Sequence, residues 1–180
     1  MAFYLDLFSP ETHQAFASSN RTVTGFRLRQ QRVASRVQPG DVLVCYLTRL
    51  TRWCGLLDVV GGPFVDDSAI LRAEQDPFVV RFHVRPRVWL APDESIPIHD
   101  DSIWQNLSFT SKLDKGSIGW TGKVCGSLVQ LDERDGRLLD NLLSEQSVER
   151  KRYELDEHAQ KQITTAHCQS IRQGSLRFGS

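Results

Sequence analysis

The segment TRWCGLLDVV (residues 51–60) decides how the chain must fold. Its apolar run of β-formers reads as a strand, yet Gly55 stands in the middle, between Cys54 and Leu56. A glycine inside a strand gives up a packed side chain and costs backbone entropy, so the strand that keeps one bends, bulges or admits another group against its backbone. Two explanations follow: a barrel corner, or a flat ligand.

Upstream, Pro39-Gly40-Asp41 is a turn that releases DVLVCYL, in which Val42, Val44 and Tyr46 face one way and Leu43, Cys45 and Leu47 the other. A strand apolar on both faces is central in its sheet. It pairs with the quoted segment as a hairpin through the polar TRLTR loop. Downstream, GGPFVDDSAILRAEQDP reads as a long connection, a candidate lid. FVVRFHVRPRVWL follows as the longest strand, with Phe78, Val80, Phe82 and Val84 on one face, Arg81, His83 and Arg85 on the other, and Pro86 as a break or bulge.

At the start, FYLDLF is a buried strand, and SPETHQAFAS a helix with Ser9 as N-cap and Pro10 at its first position. RLRQQRVASRV reads as a helix stopped by the Pro-Gly turn. DDSIWQNLS is a short helix capped by Asp100 or Asp101, and FTSKLDKGSIGWTGKVCG a glycine-rich basic loop around Trp120. SLVQL is a brief closing strand; LDERDGRLLDNLLSEQ is an amphipathic helix through Leu138, Leu139, Leu142 and Leu143. The expected division is a domain over 1–146 and a polar helical tail or linker over 147–180, leading to a further domain if the gene product continues.

A chain of 180 residues that is 40% apolar and 24% charged buries one sizeable core. It shows no basic leader followed by an apolar run and no long uncharged apolar segment, so a cytoplasmic protein without membrane spans is expected. Cys45, Cys54, Cys125 and Cys168 lack CxxC spacing, which points to free thiols and no structural metal. Net charge is zero, but Arg21, Arg27, Arg29, Arg32, Arg36, Arg49 and Arg52 crowd one stretch against Asp41 alone. The acids gather at Asp66, Asp67, Glu74 and Asp76 and at Asp93, Glu94, Asp100 and Asp101. Arginine in place of lysine suits an anionic partner, because its planar fork matches phosphate oxygens.

Taken in order, Gly25-Phe26-Arg27, the Pro39-Gly40-Asp41 turn, Trp53-Cys54-Gly55, Pro63-Phe64 with Asp66-Asp67, Ile96-Pro97-Ile98 and Leu107-Ser108-Phe109 resemble an EVE domain. That family belongs to the PUA-like superfamily with YTH, ASCH and SRA modules, and the resemblance spans residues 3 to about 146. It implies an α+β fold, a curved and mostly antiparallel β-barrel flanked by helices, with a pocket that takes in a nucleobase. It further implies recognition of a modified base, with modified cytosine such as 5-methylcytosine in DNA favoured over RNA, and association with a nuclease in modification-dependent restriction. The chain departs from the pattern at Thr24, where many members carry an aromatic, and at Leu71, where relatives often place tryptophan.

Such a site needs rings to stack on, groups that read base edges, and cations for phosphates. Phe26, Trp53, Phe64, Phe109 and Trp120 are the candidate rings; Thr24, Asn106, Ser108 and Thr110 are candidate edge readers, with backbone beside Gly25 and Gly55. Arg27, Arg29, Arg52, Lys112 and Lys115 are the candidate phosphate ligands. Core packing competes for Phe26, Phe109 and Trp53, whereas Trp120, between glycines in a polar loop, is expected to line a cleft. Trp89 and Trp104 belong to the core and His83 to a sheet face. Chemistry finds little support: Cys54 with His83 is a bare pairing, and turns and caps account for Asp66-Asp67 and Asp100-Asp101. A binding module with no cofactor and no metal is expected, the alternatives being an RNA modified-base reader or a protein-interaction adaptor.

Overall fold

The computed structural model describes residues 1–71 and 77–177, with side chains as far as residue 169. Glu74 and Asp76, and the middle of the expected lid, lie outside the described residues. In chain order the elements are β1 (Phe3–Phe8), α1 (Pro10–Ser18), β2 (Val23–Phe26), α2 (Gln31–Ala34), β3 (Val42–Leu47), β4 (Arg52–Val65), β5 (Val80–Trp89), β6 (Ile96–Pro97), α3 (Asp101–Trp104), α4 (Glu133–Glu149) and α5 (Glu157–Arg177). Short 3₁₀ turns cover Leu28–Gln30 and Thr121–Val124.

One sheet organises them, in the order β1-β3-β4-β5-β2, with β6 beside the start of β4. β1 and β3 run parallel, joined by the α1–β2–α2 excursion, and the other neighbours are antiparallel. The sheet curls into a half-barrel, and the architecture is the expected α+β, PUA-like one. β1 and β2 end the strand order, and the segment after Ser127 runs antiparallel beside β1 through Leu5 N–H to Val129 O (2.9 Å) and Leu131 N–H to Phe3 O (2.9 Å). The SLVQL segment thus pairs where a closing strand was expected.

Alternation sorts the apolar side chains onto two faces. Phe3, Leu5, Val44, Tyr46, Trp53 and Leu56 pack with α4 and the 98–131 segment, and Tyr4, Phe8, Leu43, Leu57, Val80 and Phe82 pack with α1. Gly136 on α4 lies so close to the Phe3 ring that a Cβ there would stand 2.3 Å from it, which fixes how near that helix comes to the sheet. α5 lies along α1, with Ala159 and Ala166 buried.

Gly55 is explained by the barrel corner. A Cβ at that position would stand 2.7 Å from Val88 O and 3.0 Å from the Trp89 ring. The pairing register slips between Cys45 and Tyr46 on one side of it and between Leu56 and Leu57, opposite Pro86, on the other. The flat group against this backbone is the protein's own indole.

Three element expectations need correction. β4, at 14 residues, is longer than the 10-residue β5, because Gly61–Val65, read as the start of a loop, continue the ladder to Val80. The helix expected over RLRQQRVASRV is a 3₁₀ turn and one turn of α2, since Leu28, Val33 and six polar side chains face water and only Ala34 and Val37 anchor it. Arg81, assigned to the polar face of its strand, is 1% exposed: its guanidinium donates to Phe78 O, Ser68 O and Ser68 Oγ and lies 3.4 Å from Asp66.

Candidate nucleic-acid interface

Where β1 ends and α1 begins, the gap between the β1 side and β2 opens into a recess of about 220 Å³. Leu7, Ser9 and Thr12 form one wall, Gly25, Phe26, Arg27, Arg29 and Gln30 the other, and Phe78 and residues 125–127 complete it. The volume lies below the roughly 300–1,000 Å³ of sites for drug-sized ligands and suits a single ring system.

Each wall has a local cause. Ser9 caps α1: its Oγ accepts from Thr12 N–H (3.2 Å) while Thr12 Oγ1 accepts from Ser9 N–H (2.9 Å), and this reciprocal pair sets both hydroxyls at the rim. The positive end of the α1 dipole faces the same space. Opposite, Gly25 lets the chain before β5 close in, since a Cβ there would lie 2.7 Å from Phe78 O and 2.9 Å from Phe78 Cβ. Arg81 holds the same carbonyl from the buried side at 3.0 Å. The Arg27 guanidinium lies 5.6 Å from the Phe78 ring centroid, within cation–π range. Gln30 crosses the gap, its Nε2 donating to Ser127 O at 2.9 Å.

Electrostatically, the rim is open to an anion. Arg27 and Arg29, which line it, are exposed and make no ion pair among the described residues, and the same holds for Arg32 and Arg36 further along the chain. Of the acidic partners of the other arginines, Asp58 and Asp140 under Arg87 lie on β4 and α4, whereas Glu11, paired with Arg49, stands in the first turn of α1.

Beneath the recess, Asp6 on β1 accepts a hydrogen bond from Thr24 Oγ1 on β2 at 2.9 Å. Both side chains are buried. Burial pushes the Asp6 carboxyl up to about 8, against a smaller opposing effect of the Thr24 hydroxyl. The Cys45 and Cys54 thiols beside it are pushed up by burial and, secondarily, by Asp6. On the α1 side, His13 is driven down to about 4 by burial, its Nε2 at 3.0 Å from Leu90 O and its ring stacked on Trp89.

The expected site residues divide accordingly. Gly25, Phe26, Arg27 and Arg29 meet at the recess, although the Phe26 ring turns into the core, edge-on to Phe82. Thr24 is buried with its hydroxyl committed to Asp6, so it reads no base edge. Trp53 is fully buried against Tyr46, and Gly55 faces Trp89. Trp120 is 6% exposed: it meets Trp104 and His99 edge-on, and its indole N–H is spent on Ser117 O at 2.8 Å. The Trp104 and His99 rings and the loop's own Ser117 carbonyl surround the indole. Phe109 packs on the same core, and Phe64 stacks on His83 at 4.5 Å on the far end of β4. Asn106 bonds Ser102 O, and Ser108 bonds the Asp135 carboxylate of α4. Arg52 is no phosphate ligand: it is 7% exposed and donates to Pro92 O and Glu154 O, fastening the tail. Lys115 pairs with Asp101 at 2.6 Å, and Lys112 is exposed on the same loop, neither lining the recess. Cys54 and His83 do not pair, one being buried and the other exposed beside Phe64.

Sequence reasoning missed Ser9 and Thr12 as rim groups, Phe78, Gln30 and Asp6. The acid inside the apolar strand FYLDLF was the one visible signal among them. No group of three or more potential metal ligands occurs among the described residues, and no helix there is long and apolar enough to cross a membrane.

The fold places the chain among proteins with the YTH-like, PUA-like architecture. The structure of the Pho92 YTH domain in complex with m6A superposes with a TM-score of 0.55 at 16% identity, covering 79% of this chain and 83% of that one. The Mmi1 YTH domain in complex with RNA gives 0.55 at 11% identity, covering 86% and 84%. No family model matches the sequence, and no curated protein matches it.

Proposed function

We propose that the chain is a nucleic-acid-binding module of EVE-like type that takes one modified base into the recess between β1 and β2 and binds without catalysing a reaction. The observation that carries this reading is the juxtaposition of a ring-sized recess with exposed, ion-pair-free arginines at its rim. A base inside a duplex shows a pocket only its edges, so the ligand is single-stranded or has one nucleotide flipped out at a cost of a few kcal/mol. Stacking returns about 1–3 kcal/mol per base. Phe78 supplies the ring, the Ser9 hydroxyl and the α1 N-terminus meet a polar edge, and Arg27 and Arg29 hold the flanking phosphates.

The solved relatives carry m6A in one case and RNA in another, which makes N6-methyladenosine in RNA the first ligand to test, ahead of the modified cytosine in DNA suggested by the sequence. A restriction role adds that cleavage resides in a partner or fused nuclease outside these residues. Fluorescence anisotropy with matched single strands, plain or carrying N6-methyladenine (RNA) or 5-methylcytosine (DNA), tests the reading. Preference for one modified strand is expected, and Arg27→Ala should weaken every strand alike and lower the slope of log affinity against log salt by about 1. Equal affinity for all strands, or a nuclease-resistant protein partner in the absence of any oligonucleotide binding, rejects it in favour of an adaptor.

A further inference from the structure

We propose that Asp6 and Thr24 form a latch that holds the β1–β2 seam shut and thereby sets the width of the recess above it. They act as positioning residues, since neither lines the recess.

β1 and β2 stand at opposite ends of the strand order, so no ladder of backbone hydrogen bonds between them is part of the sheet. What spans the gap on the buried side is a side-chain bond, Thr24 Oγ1 to Asp6 Oδ2 at 2.9 Å. On the outer side Gln30 reaches Ser127 O at 2.9 Å. The next residue after each latch partner, Leu7 and Gly25, belongs to opposite walls of the recess. A change in the Asp6–Thr24 separation therefore moves both walls, with one residue of backbone as the lever.

The chemistry makes this latch responsive to pH. A buried carboxyl holds its place cheaply only while neutral, and an ionised one needs water or a cation. The groups facing Asp6 offer neither: Thr24 comes from β2, the Cys45 thiol from β3 and the Cys54 thiol from β4. The nearby charged or titratable side chains of packed elements are committed elsewhere, Arg81 of β5 to Ser68 and Phe78, His13 of α1 to Leu90 and Trp89, and Glu11 to Arg49. Once ionised, Asp6 gains most by opening the seam to solvent.

This inference rests on the base-site reading for its effect on binding, so it is tested by two separate readouts. The first is alkylation of Cys45 and Cys54, resolved by peptide mass spectrometry from the exposed Cys125 and Cys168, at pH about 6.5 and about 9 in the wild type and in Asp6→Asn. Removing the Asp6 charge lowers the pKa of both thiols in Asp6→Asn and favours the variant's reaction, so a faster wild type reports opening of the seam and not thiol titration. At the higher pH the wild type should react about tenfold faster than Asp6→Asn, and at the lower pH the two should be alike. The second readout is oligonucleotide affinity, which should fall about tenfold in the wild type over that range and stay level in Asp6→Asn. Thr24→Val should weaken binding at both pH values, and Thr24→Ser should restore it. Identical alkylation in wild type and Asp6→Asn at both pH values, or an identical fall in affinity, overturns the latch. Protection that follows Asp6 with no oligonucleotide binding at either pH sustains the latch and rejects the base site.

Discussion

Gly25 and Gly55 each let another part of the chain reach a strand backbone, and the two contacts have different consequences. At Gly55 the neighbour is Trp89 at a bend of the half-barrel, and at Gly25 it is Phe78, a wall of the recess. Gly25→Ala puts a Cβ 2.7 Å from a carbonyl oxygen that Arg81 already holds, so the backbone before β5 has to give. A loss of about 1–3 kcal/mol in urea unfolding is expected, as for overpacking generally. Binding should suffer beyond what that loss explains, because Phe78 is displaced from the recess. The anomaly at Gly55 was legible in TRWCGLLDVV. Which group would fill the gap was not, because Trp89 lies on another strand whose approach depends on a register slip opposite Pro86.

At the scale of elements, the alternating strands were legible because burial on a sheet face leaves a period of two in the sequence, as in VLVCYL and VRFHV. Trp120 was misplaced for the opposite reason. Its neighbours Ser117, Gly119, Thr121 and Gly122 describe a solvated loop, whereas its burial comes from Trp104 and His99, sixteen and more residues upstream. Trp104 and Trp120 both donate their indole N–H to carbonyls of the loop between them, to Leu113 O at 3.0 Å and Ser117 O at 2.8 Å. The two tryptophans therefore act as pegs on which the 105–120 segment is wound. Trp120→Ala should cost about 3–5 kcal/mol in stability. Oligonucleotide affinity, measured where the variant remains folded, should stay within about twofold of wild type, a difference of roughly 0.4 kcal/mol.

For the whole molecule, two buried titratable groups shape stability against pH with opposite signs. Asp6 keeps its proton in the fold up to about pH 8, against an ordinary value of 3.8, and His13 stays neutral down to about pH 4, against 6.5. Between about pH 4 and 6.5 the unfolded chain binds a proton on His13 that the fold lacks, and the fold binds one on Asp6 that the unfolded chain lacks. The two cancel, and stability is level there. Above 6.5 the unfolded chain has released both protons while the fold still holds that of Asp6, so stability falls by about 1.4 kcal/mol per pH unit, or about 2 kcal/mol by pH 8. Above about 8 Asp6 is ionised in both states and its contribution to the fall ends. The residue types were in plain view in FYLDLF and SPETHQ, but neither burial nor sign could be read before β1 was known to face Thr24 across the seam and α1 to lie on Trp89. Urea midpoints from pH about 4 to about 9 test the profile. In Asp6→Asn the decline above 6.5 should vanish, and the compensated region should turn into a slope on which stability drops with acid as His13 is forced to charge. A wild-type midpoint unchanged between pH 6.5 and 8 would mean that Asp6 is ionised in the fold and that the buried seam holds a charge.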